Sequence, residues 1–492
     1  MSASLPALLR GPAVWALACL SLFANQAFAA PTSVDFGPVP VGQASAAQTV
    51  TVNFSQSGQI KAVKAVLNGS TGLDFTQTGG TCQVGSTYQA GQSCTVQATF
   101  KPLAPGVRNG AIVIQNPAYA LIATAYLTGI GQGPLATFPG GTPVLAGYVS
   151  TGNWTIDGAG NIYYMVPGYP NDTIHKLTPS GSSIVAWVPL QYRFGVLQTI
   201  DGAGNLIMTS ANQVIKIDPS GVVSLLATIQ PESNIGGAAA LGNGNLEVGG
   251  NPQAPNYSAA AYYTVQPDGT WSVKGTITDP VGSALLYDVA VGPSGETYLG
   301  TVDSVYNSSS GRICQVPNER GIAVDASGTL LTGTPTNQSF YPTPTPTNCA
   351  ATVPVLNQLP FTRPVIDAHG DTYVASNTTA HAVYKYPRTQ IHGIVFASQG
   401  TATSYGSIAI TNSGNMALNL SGLQPTLSGS SPQSFNIEQT SCGQSLAPAA
   451  SCTISLSYTP SGTYSTLPAS ASLNLRLPNQ QKVVPLNGFP NQ

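Results

Sequence analysis

One short phrase, written six times between Val149 and Tyr386, constrains this chain more than any other feature. An apolar, partly β-branched run meets a turn built on Gly with Asp or Asn, and a second apolar run follows. The copies are Ile156-Asp157-Gly158-Ala159-Gly160-Asn161, Ile200-Asp201-Gly202-Ala203-Gly204-Asn205, Leu241-Gly242-Asn243-Gly244-Asn245, Val291-Gly292-Pro293-Ser294-Gly295-Glu296, Val324-Asp325-Ala326-Ser327-Gly328-Thr329 and Ile366-Asp367-Ala368-His369-Gly370-Asp371. Apolar run, turn, apolar run is a hairpin signature, with Gly taking the positive φ that a tight turn demands. The anchor glycines Gly160, Gly204, Gly244, Gly295, Gly328 and Gly370 are 44, 40, 51, 33 and 42 residues apart.

A second hairpin shows in Lys176-Leu177-Thr178-Pro179-Ser180-Gly181, Lys216-Ile217-Asp218-Pro219-Ser220-Gly221 and Thr264-Val265-Gln266-Pro267-Asp268-Gly269, where Pro sets φ at the first corner. Two hairpins make four strands, and a period near 40 to 50 residues is that of a propeller blade. The expectation is therefore a six-bladed β-propeller over residues 140–388. A strand from the segment 135–149 should close it by pairing near His381 to Tyr386, because closure removes exposed strand edges. The fifth repeat is the least regular. Its outer part contains Tyr341-Pro342-Thr343-Pro344-Thr345-Pro346-Thr347, an extended Pro-Thr loop.

The flanks alternate apolar and polar residues over short runs, such as Gln48-Thr49-Val50-Thr51-Val52 and Ala111-Ile112-Val113-Ile114. That pattern suits half-buried antiparallel strands, and each flank, 31–134 and 393–490, is long enough for one immunoglobulin-like sandwich of about 100 residues. The fold class expected is all-β, a six-bladed propeller between two antiparallel sandwiches.

The six repeats resemble NHL-type propellers. The flanks resemble the Hydin-related ASH immunoglobulin-like domain of bacterial choice-of-anchor D proteins. In the first flank the likeness rests on Val34-Asp35-Phe36-Gly37, Gly91-Gln92-Ser93-Cys94, Phe100-Lys101-Pro102 and Leu127-Thr128-Gly129. In the second it rests on Thr411-Asn412-Ser413-Gly414-Asn415, Ala450-Ser451-Cys452, Tyr458-Thr459-Pro460 and Leu486-Asn487-Gly488. Tyr458 stands where the scheme has Phe, and the opening strand around Ile394-Val395-Phe396 lacks the Asp-Phe-Gly phrase.

Residues 1–29 read as a secretory signal peptide. Arg10 gives the positive flank, Ala13 to Phe23 the apolar stretch, and Ala27-Phe28-Ala29 the cleavage site, so the mature chain should begin at Ala30. The apolar run is shorter than the roughly 20 residues a membrane span needs. An uncleaved anchor, or lipid attachment at Cys19, are the alternatives. The other six cysteines fall as Cys82 with Cys94, Cys314 with Cys349 and Cys442 with Cys452; in an exported chain, three local disulfides are the economical reading. Zinc is the alternative, but no pair has metal-knuckle spacing. The location expected is secreted, periplasmic or cell-surface.

Only 7% of residues are charged, and 16 Lys and Arg against a net charge of −2 leave no basic stripe, so nucleic acid is a poor partner. The turn carboxylates Asp157, Asp201, Asp325 and Asp367 read as scaffold, since Asp there bonds its own backbone. Candidates for function are departures from the repeat. Three residues after the anchor glycines lie Tyr163, Ile207, Glu247, Tyr298, Leu331 and Tyr373, which sets Glu247 apart. Seven before them lie Asn153, Leu197, Gly237, Asp288, Gly321 and Arg363, so Asn153, Asp288 and Arg363 are expected to face one mouth of the central tunnel, with Asp288 exposed. A solvated rim carrying an Asp–Arg pair is the plainer reading of the same residues.

The leading functional expectation is a secreted or surface binding protein that meets a glycan, peptide or protein partner, with no cofactor. Some six-bladed propellers hydrolyse lactones with calcium or act as lyases, so a calcium-dependent hydrolase or lyase using Asp288, Glu247 and Asn153 is the second expectation. A structural envelope component is the third. No Gly-x-Ser-x-Gly elbow, His-Glu-x-x-His helix or phosphate-binding loop occurs in a usable context.

Overall fold

A computed structural model of the protein describes residues 30–138, 144–148, 154–253, 259–278, 284–316, 321–333, 338–341, 353–356, 363–375, 382–399, 401–460, 468–478 and 480–491. The segment 1–29 expected to be a signal peptide, with Cys19, and also Asn153, Cys349 and most of the Pro-Thr loop, lie outside them. The regular secondary structure among them is nearly all strand. The only helical turns among these residues are 3-10 turns at Leu190–Tyr192 and Pro432–Ser434.

The repeat region forms six four-stranded antiparallel sheets. The first five run in simple chain order, as in Trp154–Ile156, Ile162–Val166, Asp172–Thr178 and Gly181–Val188. The sixth is composite: Val144–Tyr148, from ahead of the first sheet, pairs antiparallel with Ala382–Tyr386. This is the pairing expected from the need to cover strand edges.

All six anchor glycines have φ between +79° and +91°, and each N–H closes its turn on a carbonyl three residues back, as Gly160 does on Asp157 at 2.9 Å. Apolar side chains fill the spaces between consecutive sheets. Ile174 and Val188 of the first sheet meet Leu206 and Met208 of the second, and Tyr373 and Val383 of the sixth meet Trp154 and Tyr164 of the first.

The two flanking units are built alike. Each opens with a strand, Thr32–Pro40 or Ile394–Gln399, that pairs in parallel with the unit's last strand, Leu121–Gln132 or Gln480–Asn491. The rest of each unit is antiparallel, in two main sheets over an apolar core. Cys82–Cys94 and Cys442–Cys452 form the expected bridges; the expected partner of the buried Cys314 lies outside the described residues. The closing motifs have a steric reason. A Cβ on Gly129 would stand 2.5 Å from the Phe100 ring, and one on Gly488 would stand 2.2 Å from the Tyr458 ring, so each last strand passes directly over a core aromatic. Tyr458, at 1% exposure, fills the place that Phe100 fills in the first unit.

One strand joins units that the sequence separates. Ala136–Thr137, lying between the segments 31–134 and 140–388, pairs with Thr411–Asn412 of the last unit. Its Thr137 hydroxyl meets that of Ser413 at 2.7 Å.

Candidate functional site

The Asp turns act as local scaffold. Asp157 Oδ1 accepts the N–H groups of Ala159 and Asn161 at 3.0 and 2.9 Å, and Asp201, Asp325 and Asp367 repeat the arrangement. Their second oxygens reach further. Asp157 pairs with Lys176, Asp367 with Lys385, and Asp325 with Arg388, whose guanidinium also donates to the Ser413 hydroxyl at 2.6 Å. Asp201 Oδ2 accepts the phenol of Tyr126, from the first flanking unit, at 2.9 Å. Burial is the main cause pushing both that carboxyl and the phenol upward in pKa.

These turns are therefore where the first unit docks. Gly158 N–H donates to Asn68 at 3.3 Å, and a Cβ on Gly204 would stand 2.7 Å from Gly69 Cα. Arg108 of the first unit, ion-paired with Asp74, donates to the Ala368 carbonyl in the sixth turn. A cavity of about 280 Å³ remains at this end, with Arg108, Asn109, Asp325, Asp367 and Arg388 among its lining residues.

Two of the axis candidates meet. Asp288 stands on Leu286–Val291, the innermost strand of the fourth sheet. Its Oδ1 accepts Val289 N–H at 2.9 Å, while Oδ2 accepts Ile322 N–H of the fifth sheet at 3.0 Å and pairs with Arg363 Nε at 2.9 Å. Arg363 leads into the sixth sheet and donates Nη1 to the Gln198 carbonyl on the inner strand of the second. Gln198 Nε2 in turn donates to Thr209 at 2.9 Å. This ion pair and its hydrogen bonds thus link the first strands of the second, fourth and fifth sheets with the segment leading into the sixth.

The expectation of an exposed Asp288 is corrected: the residue is 1% exposed. The cause is the tightness of the inner strands, since glycines stand at two equivalent positions. A Cβ on Gly237 would lie 2.7 Å from Asp288 Cα, and one on Gly321 would lie 2.5 Å from Arg363 Cα. Burial pushes the Asp288 carboxyl upward, opposed by Arg363 and the two backbone donors.

Glu247 has other partners. On Leu246–Asn251, the second strand of the third sheet, it is 1% exposed, accepts the Thr264 hydroxyl at 3.0 Å and pairs with Lys274 at 3.2 Å. Lys274 also donates to Thr297 of the fourth sheet at 3.0 Å, so Glu247 forms part of an inter-sheet tie. Desolvation raises its carboxyl and Lys274 opposes the rise. Sequence reasoning missed Gln198, which lies one residue beyond the position being compared and contributes mainly through its backbone carbonyl.

Among the described residues, no group of three or more His, Cys, Asp or Glu side chains is arranged to hold a metal ion. No helix among them is long and apolar enough to cross a membrane.

No family model matches the chain, and no curated protein matches it. Solved structures similar to it include a catalytically inactive variant of virginiamycin B lyase from Staphylococcus aureus with quinupristin, at 12% identity over 56% of this chain and 96% of that one, TM-score 0.35. Another is the PQQ-bound aldose sugar dehydrogenase of Streptomyces coelicolor, at 12% identity over 52% and 99%, TM-score 0.36. A DUF4623 family protein from Bacteroides eggerthii matches at 10% identity over 69% and 98%, TM-score 0.36. Similarities of this size assign neither activity nor ligand to this chain.

Proposed function

We propose that this chain is a secreted or cell-surface binding protein. In this reading residues 1–29 are a signal peptide, and an NHL-like six-bladed propeller over 140–388 is held between two ASH-type sandwiches, 31–134 and 393–490. The propeller is the recognition element and the sandwiches are its rigid mount.

The observation that carries the proposal is the Asp288–Arg363–Gln198 linkage. The charged groups at the axis hold inner strands to one another: both Asp288 oxygens are occupied by donors from its own strand, the next sheet and Arg363. A carboxylate so engaged is not free to accept a proton from a substrate or to coordinate an ion. The loops around the ring, mounted on this stiff frame, remain as the surface for a glycan, peptide or protein partner. Asp288 and Arg363 are then assigned to shaping the mouth.

The competing reading, a calcium-dependent lactonase-like hydrolase or lyase, requires Asp288 to leave Arg363. A thermal-shift screen of the mature protein against polysaccharides, peptides, calcium and lactones separates the two. A ligand at one hundred times its dissociation constant adds about 2.7 kcal/mol of stability. A shift with a polysaccharide or peptide and none with calcium is expected; lactone turnover abolished by chelation would overturn the proposal.

A further inference from the structure

The face away from the first unit carries an aromatic and cationic group that neither the axis nor the cores use. Ile162–Val166 runs away from the Asp157 turn, so the loop 167–171 lies at the opposite end of the first sheet from the docked unit. The connection 189–195, which leads to the second sheet, lies at that end too. Tyr169 stands on the first loop with 85% of its surface exposed, and Phe194 on the second with 77%. The Arg193 guanidinium lies over both rings, 5.8 Å from the Tyr169 centroid and 4.7 Å from that of Phe194.

Asp172 holds the two loops together. Its Oδ1 accepts Gly168 N–H at 3.0 Å and its Oδ2 accepts Phe194 N–H at 3.2 Å. Arg193 Nε is 3.8 Å from Asp172 Oδ1, beyond hydrogen-bond length, and is buried with no hydrogen-bond acceptor among the described residues. Phe194 sits at φ +64°, a left-handed backbone that is strained for a bulky residue. Core packing does not account for that strain, because the ring points into solvent.

The Arg193 guanidinium is only loosely paired with Asp172, and its side chain, 28% exposed and braced by aromatic faces, can meet a further carboxylate. The electron-rich faces of exposed rings are matched by polarised C–H groups. The two rings offer on the order of 300 Å², well short of the roughly 800 Å² each partner buries in a stable protein–protein interface. The area suits one or two sugar units. We propose that Tyr169, Arg193 and Phe194 bind the uronic acid units of an acidic polysaccharide, with the carboxylate on Arg193 and a pyranose C–H face on an aromatic ring. This rests on the binding-protein reading and names its ligand class.

The test is affinity electrophoresis of the purified mature protein in gels containing polygalacturonate, the same polymer methyl-esterified, or neutral dextran, with polyglutamate as a peptide probe. Polygalacturonate should retard the protein and the esterified polymer and dextran should not. Arg193→Gln and Phe194→Gly should each weaken binding about tenfold or more. Phe194→Gly fits the left-handed backbone, so its melting temperature should not fall, which separates lost recognition from lost folding. Absence of retardation by polygalacturonate, or equal retardation of both variants, overturns the inference. Retardation by polyglutamate alone also overturns it while leaving the binding-protein reading standing; that reading is tested separately, by the thermal-shift and lactone-turnover measurements.

Discussion

Replacing Asp288 by alanine removes a carboxylate that is 1% exposed and engaged by Val289 N–H, Ile322 N–H and Arg363. Removing one partner of a buried ion pair costs about 3–5 kcal/mol, because the other charge is left uncompensated. Here the Arg363 side chain is 20% exposed and can recover part of that from water. The orphaned Ile322 N–H adds about 1–3 kcal/mol that overlaps with the first term. The expected net loss is about 3 kcal/mol, or roughly 6–10 °C in melting temperature for a cooperative unit of about 250 residues. Calorimetry on wild type, Asp288→Ala, Arg363→Ala and the double variant forms a complete cycle. The single variants should each melt well below wild type and the double variant little lower than either, a coupling of about 2 kcal/mol. An Asp288→Ala protein melting within about 1 °C of wild type, or a cycle that is simply additive, would refute the claim that this pair binds the inner strands together.

Three further outcomes follow from the geometry. Gly204→Ala and Gly328→Ala meet the same left-handed strain, at φ +91° and +83°, but only Gly204 faces a neighbouring backbone, so its variant should lose clearly more stability in the same melting assay. Glu247→Leu removes one partner of the Lys274 pair and should destabilise by about 1–3 kcal/mol, less than a fully buried pair would lose because the Lys274 side chain is 34% exposed; an unchanged melting temperature would contradict the tie described here. Intact-mass analysis of exported protein should give a chain beginning at Ala30 with no thiol alkylated before reduction, as Cys82–Cys94, Cys442–Cys452 and the proposed Cys314–Cys349 bridge together require.

The repeat sheets were legible because their signal is local. Gly160 and its five counterparts mark turns whose positive φ only glycine takes without strain, and the apolar runs on either side dictate strands by their own pattern. The Asp157 type of turn was legible for the same reason, since both of its backbone donors lie within four residues. The closing pair Val144–Tyr148 with Ala382–Tyr386 followed from a general need to cover edges.

Contacts between distant segments were decided by the tertiary structure. Spacing placed Asp288 and Arg363 at equivalent positions, but the burial of Asp288 depends on Gly237 and Gly321 letting inner strands approach within van der Waals contact, which no local window reveals. Glu247 was conspicuous as a charge in an apolar column, yet its role was set by Lys274, a fourth-strand residue with no counterpart in the repeat phrase. The grouping of Tyr169, Arg193 and Phe194 was invisible for the same reason. Two loops more than twenty residues apart meet only because successive sheets pack face to face, and Asp172 then joins them through backbone donors that carry no sequence identity. Periodic backbone demands are written residue by residue along this chain, whereas burial and charge pairing arise where its separate turns and strands are brought together.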